Sequence, residues 1–164
     1  LLNPDPDPRF LQEIRSLATR LIALSPARLA EVPLDDTLRR EVEAARGIRS
    51  HMARKRQMQF VAKLLRRDGG EAVAEALAGF EREASQLTAR QHRSEAWRDH
   101  LVENGDAAVG ALLERRRDTD AQAVRQLLRN ARREAARGKP PAAARSLFRL
   151  LRDMDEREAL PPLP

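Results

Sequence analysis

The chain has 164 residues and a formal net charge of +6, with 34% charged, 41% hydrophobic and only 3% aromatic residues. That length makes one ordinary domain or two small helical modules and excludes a large α/β enzyme. Leu, Ala, Arg and Glu are abundant and favour helix, whereas the β-branched and aromatic residues that strands prefer are scarce, so the expected fold is all-α.

Pro4, Pro6 and Pro8 mark an extended leader over residues 1–8, at whose end Pro8 can open a helix. Phe10, Ile14, Leu17, Leu21 and Leu24 recur at spacings of four and three and predict a first helix over 9–24. Ser25-Pro26 stops it and starts a short helical turn carrying Leu29. After Pro33, Asp35 or Asp36 is expected to cap a long second helix through about Arg67, with Leu38, Val42, Ala45, Ile48, Met52, Met58, Val61 and Leu65 as its stripe. Gly47 inside that stripe costs about 1 kcal/mol relative to Ala and marks a kink or a close contact.

Asp68-Gly69-Gly70 reads as a turn, and a third helix over 71–103 carries Val73, Leu77, Phe80, Leu87, Trp97 and Leu101. Two helices of roughly thirty residues joined by two glycines predict a long antiparallel hairpin. Asn104-Gly105-Asp106 is a stop followed by a start, with Gly105 past one helix and Asp106 capping the next. Three shorter helices follow. One over 107–115 carries Val109, Leu112 and Leu113; a second follows the capping pattern Thr119-Asp120-Ala121-Gln122 and carries Val124, Leu127, Leu128 and Ala131. The last, over 142–157, follows the break Gly138-Lys139-Pro140-Pro141 and carries Leu147, Phe148, Leu151 and Met154. The expected organisation is a module over 9–104 built on the hairpin, a three-helix bundle over 105–157, and a tail over 158–164.

Positive charge is concentrated. Residues 46–67 hold eight basic residues and no acidic one, and residues 125–152 hold nine basic residues with Glu134 as the sole acid. A merely solvated helical face mixes signs to gain i,i+4 pairs; these blocks forgo such pairs and repel themselves, a cost that a polyanion relieves. In the first block Arg54, Lys55 and Arg56 fan round one helix, with Lys63 and Arg66 two to three turns on. In the second, Arg129, Arg132, Arg133 and Arg137 stand at helical spacing, with Lys139 and Arg145 flanking the double proline. These eleven are the candidate RNA-binding residues. Phosphate recognition suits Arg because its planar fork grips oxygens in pairs.

Chemistry finds little footing. Cysteine is absent, which excludes disulfides, Cys-ligated zinc, iron–sulfur clusters and thiol nucleophiles, and fits a reducing compartment. His92 and His100 each precede a Glu by three residues, but exposed histidine in charged sequence is the plainer account, so no metal site is expected. There is no Gly-rich phosphate loop, nucleophile elbow or H-E-x-x-H, and no catalytic residue is assigned. Trp97 lies on an apolar stripe and is read as core. One Trp, four Phe and no Tyr leave little for a single-strand platform, so a nucleic-acid partner would be a folded duplex or junction. No uncharged run approaches the roughly 18 residues a membrane helix needs, and Leu1–Pro8 lacks the character of a secretory signal. The expectation is a soluble cytoplasmic protein, read as continuing ahead of Leu1 because the sequence does not open on Met.

Five runs carry a likeness: Val32–Leu38, Arg54–Arg66, Trp97–Leu101 leading to Gly105-Asp106, Gln126–Glu134, and Lys139-Pro140-Pro141 through Arg152. In this order, across about Phe10 to Met154, the chain resembles the YjgA/DarP family of bacterial ribosome-associated proteins. The resemblance implies a mostly helical, two-module assembly factor that binds 23S rRNA in a late precursor of the large ribosomal subunit and helps its peptidyl-transferase region mature. It implies no enzyme activity, no cofactor and no small-molecule substrate; a monomer is expected. Ala142 departs from the Lys of the family, as do several Lys positions that read as Arg. A second function class is a helical adaptor whose basic face meets an acidic protein. A DNA-binding helix-turn-helix ranks below both, because no short turn presents a recognition helix with polar base-reading residues.

Overall fold

A computed structural model describes residues 7–164; the expected leader, with Pro4 and Pro6, falls outside the described residues except at its end. Among the described residues there are eight helices and no strand: α1 (Pro8–Ala23), α2 (Pro26–Glu31), α3 (Asp36–Gly47), α4 (His51–Arg67), α5 (Gly70–Asn104), α6 (Asp106–Arg115), α7 (Ala121–Ala136) and α8 (Ala142–Arg157). The protein is all-α. It forms two compact units, one ending at Glu83 and one beginning at Ala84, so α5 belongs to both.

In the first unit, local chemistry starts each helix. Asp7 accepts from the Arg9 N–H at 2.9 Å with Pro8 opening α1, Ser25 accepts from Arg28 N–H ahead of Pro26, and Asp35 accepts from Leu38 N–H at 2.7 Å. The α1 stripe buries Ile14, Leu17, Ala18, Leu21 and Ile22, while Phe10 at its start remains exposed. These residues pack with Leu29, Val32, Leu38, Val42, Val61, Leu65, Val73 and Leu77 in one core.

The long second helix expected over residues 36–67 is two helices. α3 ends at Gly47, and Ser50 caps α4 by accepting from Ala53 N–H. The apolar spacing runs through the break, which is why periodicity alone joined them; a poor helix former followed by a capping Ser divides them. The close pairings are α1 with α4, α3 with α4 and α1 with α3. α4 therefore closes a bundle with the preceding helices, in place of the expected long hairpin with α5.

In the second unit, Trp97 and Leu101 on α5 pack with Val109 and Leu112 on α6, Val124 and Leu128 on α7, and Leu147, Leu151 and Met154 on α8. The division thus falls within α5, upstream of the expected boundary near Gly105, because the last turns of α5 supply core to α6, α7 and α8. Trp97 is buried as core, and its indole N–H donates to the Pro161 carbonyl at 2.6 Å. The segment after α8 is packed as well, with Leu160 buried in the same cluster.

Helix ends here use glycines where φ is positive. Gly105 (φ 61°) donates its N–H to Leu101 O at 2.8 Å and itself stands as N-cap of α6, so Asp106 is the first residue of that helix and not its cap. Asp120, not Thr119, caps α7 by accepting from Ala123 N–H. At the far end Gly138 (φ 62°) donates to Ala135 O and Lys139 to Glu134 O, the paired bonds of a Schellman stop.

Two ionic ties in this unit centre on a buried side chain, Asp155 or Arg116. Arg93 grips Asp155 in a bidentate pair at 2.7 and 2.8 Å, and Leu160 N–H also bonds this carboxylate at 2.9 Å. Burial pushes the Asp155 carboxyl up, but bonds from Arg93 and Leu160 N–H and the charges of Arg93 and Arg90 outweigh it, leaving it below its ordinary value. The buried Arg116 forks onto Asp118 at 2.8 Å twice and donates to the Met154 and Glu158 carbonyls, tying the turn before α7 to the end of α8. Hydrogen bonding from Arg116, joined by its charge and by Arg157, lowers Asp118 to about 2.

Candidate nucleic-acid interface

All eleven candidate cations are exposed, but they do different things. On α4 the buried line is Val61, Ala62 and Leu65. Lys55, Arg56, Lys63 and Arg66, joined by Arg67, fall within roughly 120° on the outward side at 3.6 residues per turn. Arg54 lies apart from them, in register with Met58, Val61 and Leu65 on the core side, one turn before the core begins. Arg46, the first cation of the block, is half-buried and donates to Leu24 O at 2.5 Å, closing the end of α1. The ion pairs of this unit among the described residues use Arg20, Arg28 and Arg82, and none uses a cation of residues 46–67.

In the second unit, Arg129 and Arg133 stand outward from the α7 line Val124, Leu128 and Ala131. Arg132 turns aside. Its guanidinium lies over Gly105, where a Cβ would meet Nη2 at 2.7 Å, and donates to Val102 O at 3.2 Å. It therefore closes the C-terminal end of α5, where carbonyls lack helical partners and cations are favoured. Arg133, Arg137 and Lys139 line a shallow depression of ≈ 240 Å³ together with Asn130 and Glu134. Arg145 shares the outer side of α8 with Arg149 and Arg152 at spacings of four and three. Within this block only Arg125 and Arg152, at its two ends, form ion pairs among the described residues.

Glu134, the one acid of the block, has a specific task. Its Oε2 accepts from Ala143 N–H at 3.0 Å, and it supplies the cap for α8 that Pro141 at the N-cap cannot give. Its carboxylate therefore meets the positive end of a helix, and among the described residues it forms no ion pair with the arginines beside it. Sequence spacing missed this role, and it missed Arg67 and Arg149, exposed members of the two faces whose only signal was their place in the blocks.

A recess of ≈ 970 Å³ lies in the first unit beside the α4–α5 turn, where Glu13, Asp68 and Glu71 mix with Arg20, Arg66 and Arg67. His100 meets Trp97 edge-on at 5.7 Å between ring centres and contacts Asn104 at 3.0 Å. Among the described residues no helix is long and apolar enough to cross a membrane.

A helical scaffold that holds two groups of outward cations without ion pairs to acids among the described residues defines a class: a basic helical protein with surfaces suited to a polyanion. Residues 9–152 match the family of the Dual-action ribosomal maturation protein DarP, and the chain belongs to that family. Curated relatives of that name include one from Xanthomonas oryzae pv. oryzae (strain PXO99A), 43% identical over 151 residues that make up 90% of this chain and 78% of the relative. Others, from Xanthomonas campestris pv. campestris (strain 8004) and Xanthomonas axonopodis pv. citri (strain 306), are 42% identical with the same coverage.

Proposed function

We propose that this chain is a non-catalytic ribosome-biogenesis factor that works in the cytoplasm as a monomer, binding 23S rRNA of a late large-subunit precursor and promoting its maturation. The observation that carries this reading is the pair of exposed cation groups, on α4 and on α7–α8, whose central members have no acidic partner among the described residues. Family membership supports the ribosomal setting. The α4 group comprises Lys55, Arg56, Lys63 and Arg66 with Arg54 beside it; the second comprises Arg129, Arg133, Arg137, Lys139 and Arg145, with Arg132 serving the fold first. One basic surface per unit makes the binding bivalent, each engaged surface raising the effective concentration of the other.

Co-sedimentation with large-subunit precursors across a salt series tests this. If roughly 5–8 phosphates are neutralised, log K falls against log salt with a slope of about −4 to −7. A slope near zero would move the function to the acidic-protein adaptor. Lys55/Arg56→Ala and Arg129/Arg133→Ala are each expected to weaken association sharply with helicity intact, and a pair without effect would remove its surface from the interface.

A further inference from the structure

The two basic surfaces differ in one respect that charge does not capture. On α4 the positions 52, 56, 60, 63 and 67 follow one another at spacings of four, four, three and four, a single stripe along the helix. Its occupants are Met52, Arg56, Phe60, Lys63 and Arg67, all exposed, with Met52 at 65% and Phe60 at 42%. Apolar side chains thus alternate with cations on a face turned to water. Two other phenylalanine rings are partly covered. Phe80 packs against the first core with the Arg28 guanidinium 4.5 Å from its centre, and Phe148 has Arg98 at 5.9 Å. Phe10, the other exposed ring, lines the mixed-charge recess beside the α4–α5 turn. Only Phe60 stands within a run of sequence, residues 46–67, that holds cations and no acid, and of its stripe Arg67 alone also lines that recess. The α7–α8 surface has no such exposed ring: the positions between its cations include Gln122, Gln126 and Asn130 and the small side chains of Ala136 and Ala142.

Resting on the rRNA-binding reading above, we infer that the α4 stripe recognises an unpaired nucleotide at a duplex junction. Phe60 takes the face of the extruded base, and Arg56, Lys63 and Arg67 hold the phosphates on either side of it. The α7–α8 surface, with no exposed ring among its cations, grips duplex backbone alone. Stacking on an aromatic face accepts any base, because every base has a π-face, so this contact reads the presence of an unpaired nucleotide and not its identity. One ring serves one base, and no single-strand platform is needed. Met52, a turn or two away on the same stripe, adds a polarisable apolar contact beside the extruded sugar or base. Extrusion is cheapest where the nucleotide is already unpaired, which gives the preference for a bulge over a perfect duplex.

The test uses the full chain and two RNA hairpins identical except for a one-nucleotide bulge, the bulged base being 2-aminopurine, at fixed salt. The expected result is tighter binding to the bulged hairpin with a change in 2-aminopurine fluorescence on binding. Phe60→Ala is expected to remove that fluorescence change and to weaken bulged-hairpin binding by roughly 5- to 100-fold, the span of one lost base stack, while leaving perfect-duplex binding within about twofold. Phe60→Trp restores the preference and Phe60→Leu does not. Equal loss on both hairpins, no loss on either, or rescue by Leu overturns the stacking role while leaving phosphate binding in place. Absence of salt-dependent RNA binding by the unaltered chain, with Phe60→Ala instead abolishing capture of a ribosomal protein, overturns both the inference and the rRNA reading beneath it.

Discussion

The two units solve the same problem, a small helical core under heavy charge, in different ways. The first keeps its ion pairs on the surface: Arg20 with Glu81, Arg28 with Glu31 and Glu83, and Arg82 with Glu75 all join exposed or half-exposed side chains. Its core is apolar throughout. The second buries Arg116 and Asp155 and uses each to hold chain segments at the margin of its apolar core. Surface pairs contribute little because water and salt screen them, whereas breaking a buried pair strands a charge. The first unit's stability should therefore follow its apolar contacts, and the second's should follow its ionisation as well.

Trp97 makes this difference measurable, since it is the only Trp of the chain and lies in the second core. Its fluorescence reports that unit, while circular dichroism reports both. The largest effect is expected from removing it: Trp97→Ala should destabilise the second unit by about 3–5 kcal/mol, seen as an early phase in urea melts followed by dichroism. Leu77→Ala, at a buried position of the first core, should cost about 2–5 kcal/mol yet leave the Trp97 fluorescence midpoint in place. A shift of both probes together would show that the units melt as one.

A smaller loss is expected for Asp155→Ala, about 2–3 kcal/mol, below the usual cost of breaking a buried pair because Arg93 stays partly in water. The pH dependence has a definite sign. Asp155 and Asp118 sit below their ordinary values in the folded state. Their contribution is therefore complete above the unfolded carboxylate range, near pH 4, and is lost as pH falls toward about 2, where Asp118 titrates when folded. Acid should thus reach Trp97 fluorescence before it removes the helicity of the first unit, and Asp155→Ala should flatten that response. Least of all is expected from Glu81→Gln, which breaks the exposed pair with Arg20 and should change stability by no more than about 0.5 kcal/mol; a larger effect would erase the contrast between the units.

Much of the fold could be read from spacing. Pro8, Ser25, Asp35 and Gly138 start or stop helices as their chemistry dictates, and Leu21, Leu77, Leu112 and Leu151 fall on stripes that prove buried. What spacing could not carry was where a stripe is cut or which stripe meets which. The run from Leu38 keeps its period across Ile48–Ser50, so Gly47 read as a kink or a close contact and not as the end of a helix, and the partner of α4 was decided by packing distant in sequence. Leu160 belonged to no periodic run and could not be assigned to a core. The candidate interface was legible as two blocks and illegible within them. Arg46 and Arg132 look like their neighbours in sequence, yet each donates to a carbonyl at a helix end. Phe60 falls outside the Met58–Val61–Leu65 core line, but only its exposure separates it from the rings that the core or an Arg covers.

The opening of α4 has a consequence in time. Its first turn holds no acid, Ser50 reaches Ala53 N–H at a long 3.4 Å, and Arg54, Lys55 and Arg56 come directly after, next to backbone N–H groups that already carry partial positive charge. That end of the helix should open and close far more often than the buried turns around Val61 and Leu65. The amides of Lys55 and Arg56, bonded back into the first turn, are then expected to exchange with deuterium quickly in the free protein and to slow by more than the Val61 and Leu65 amides when a polyanion settles there. Such a helix end is a part of the surface finished by what it binds.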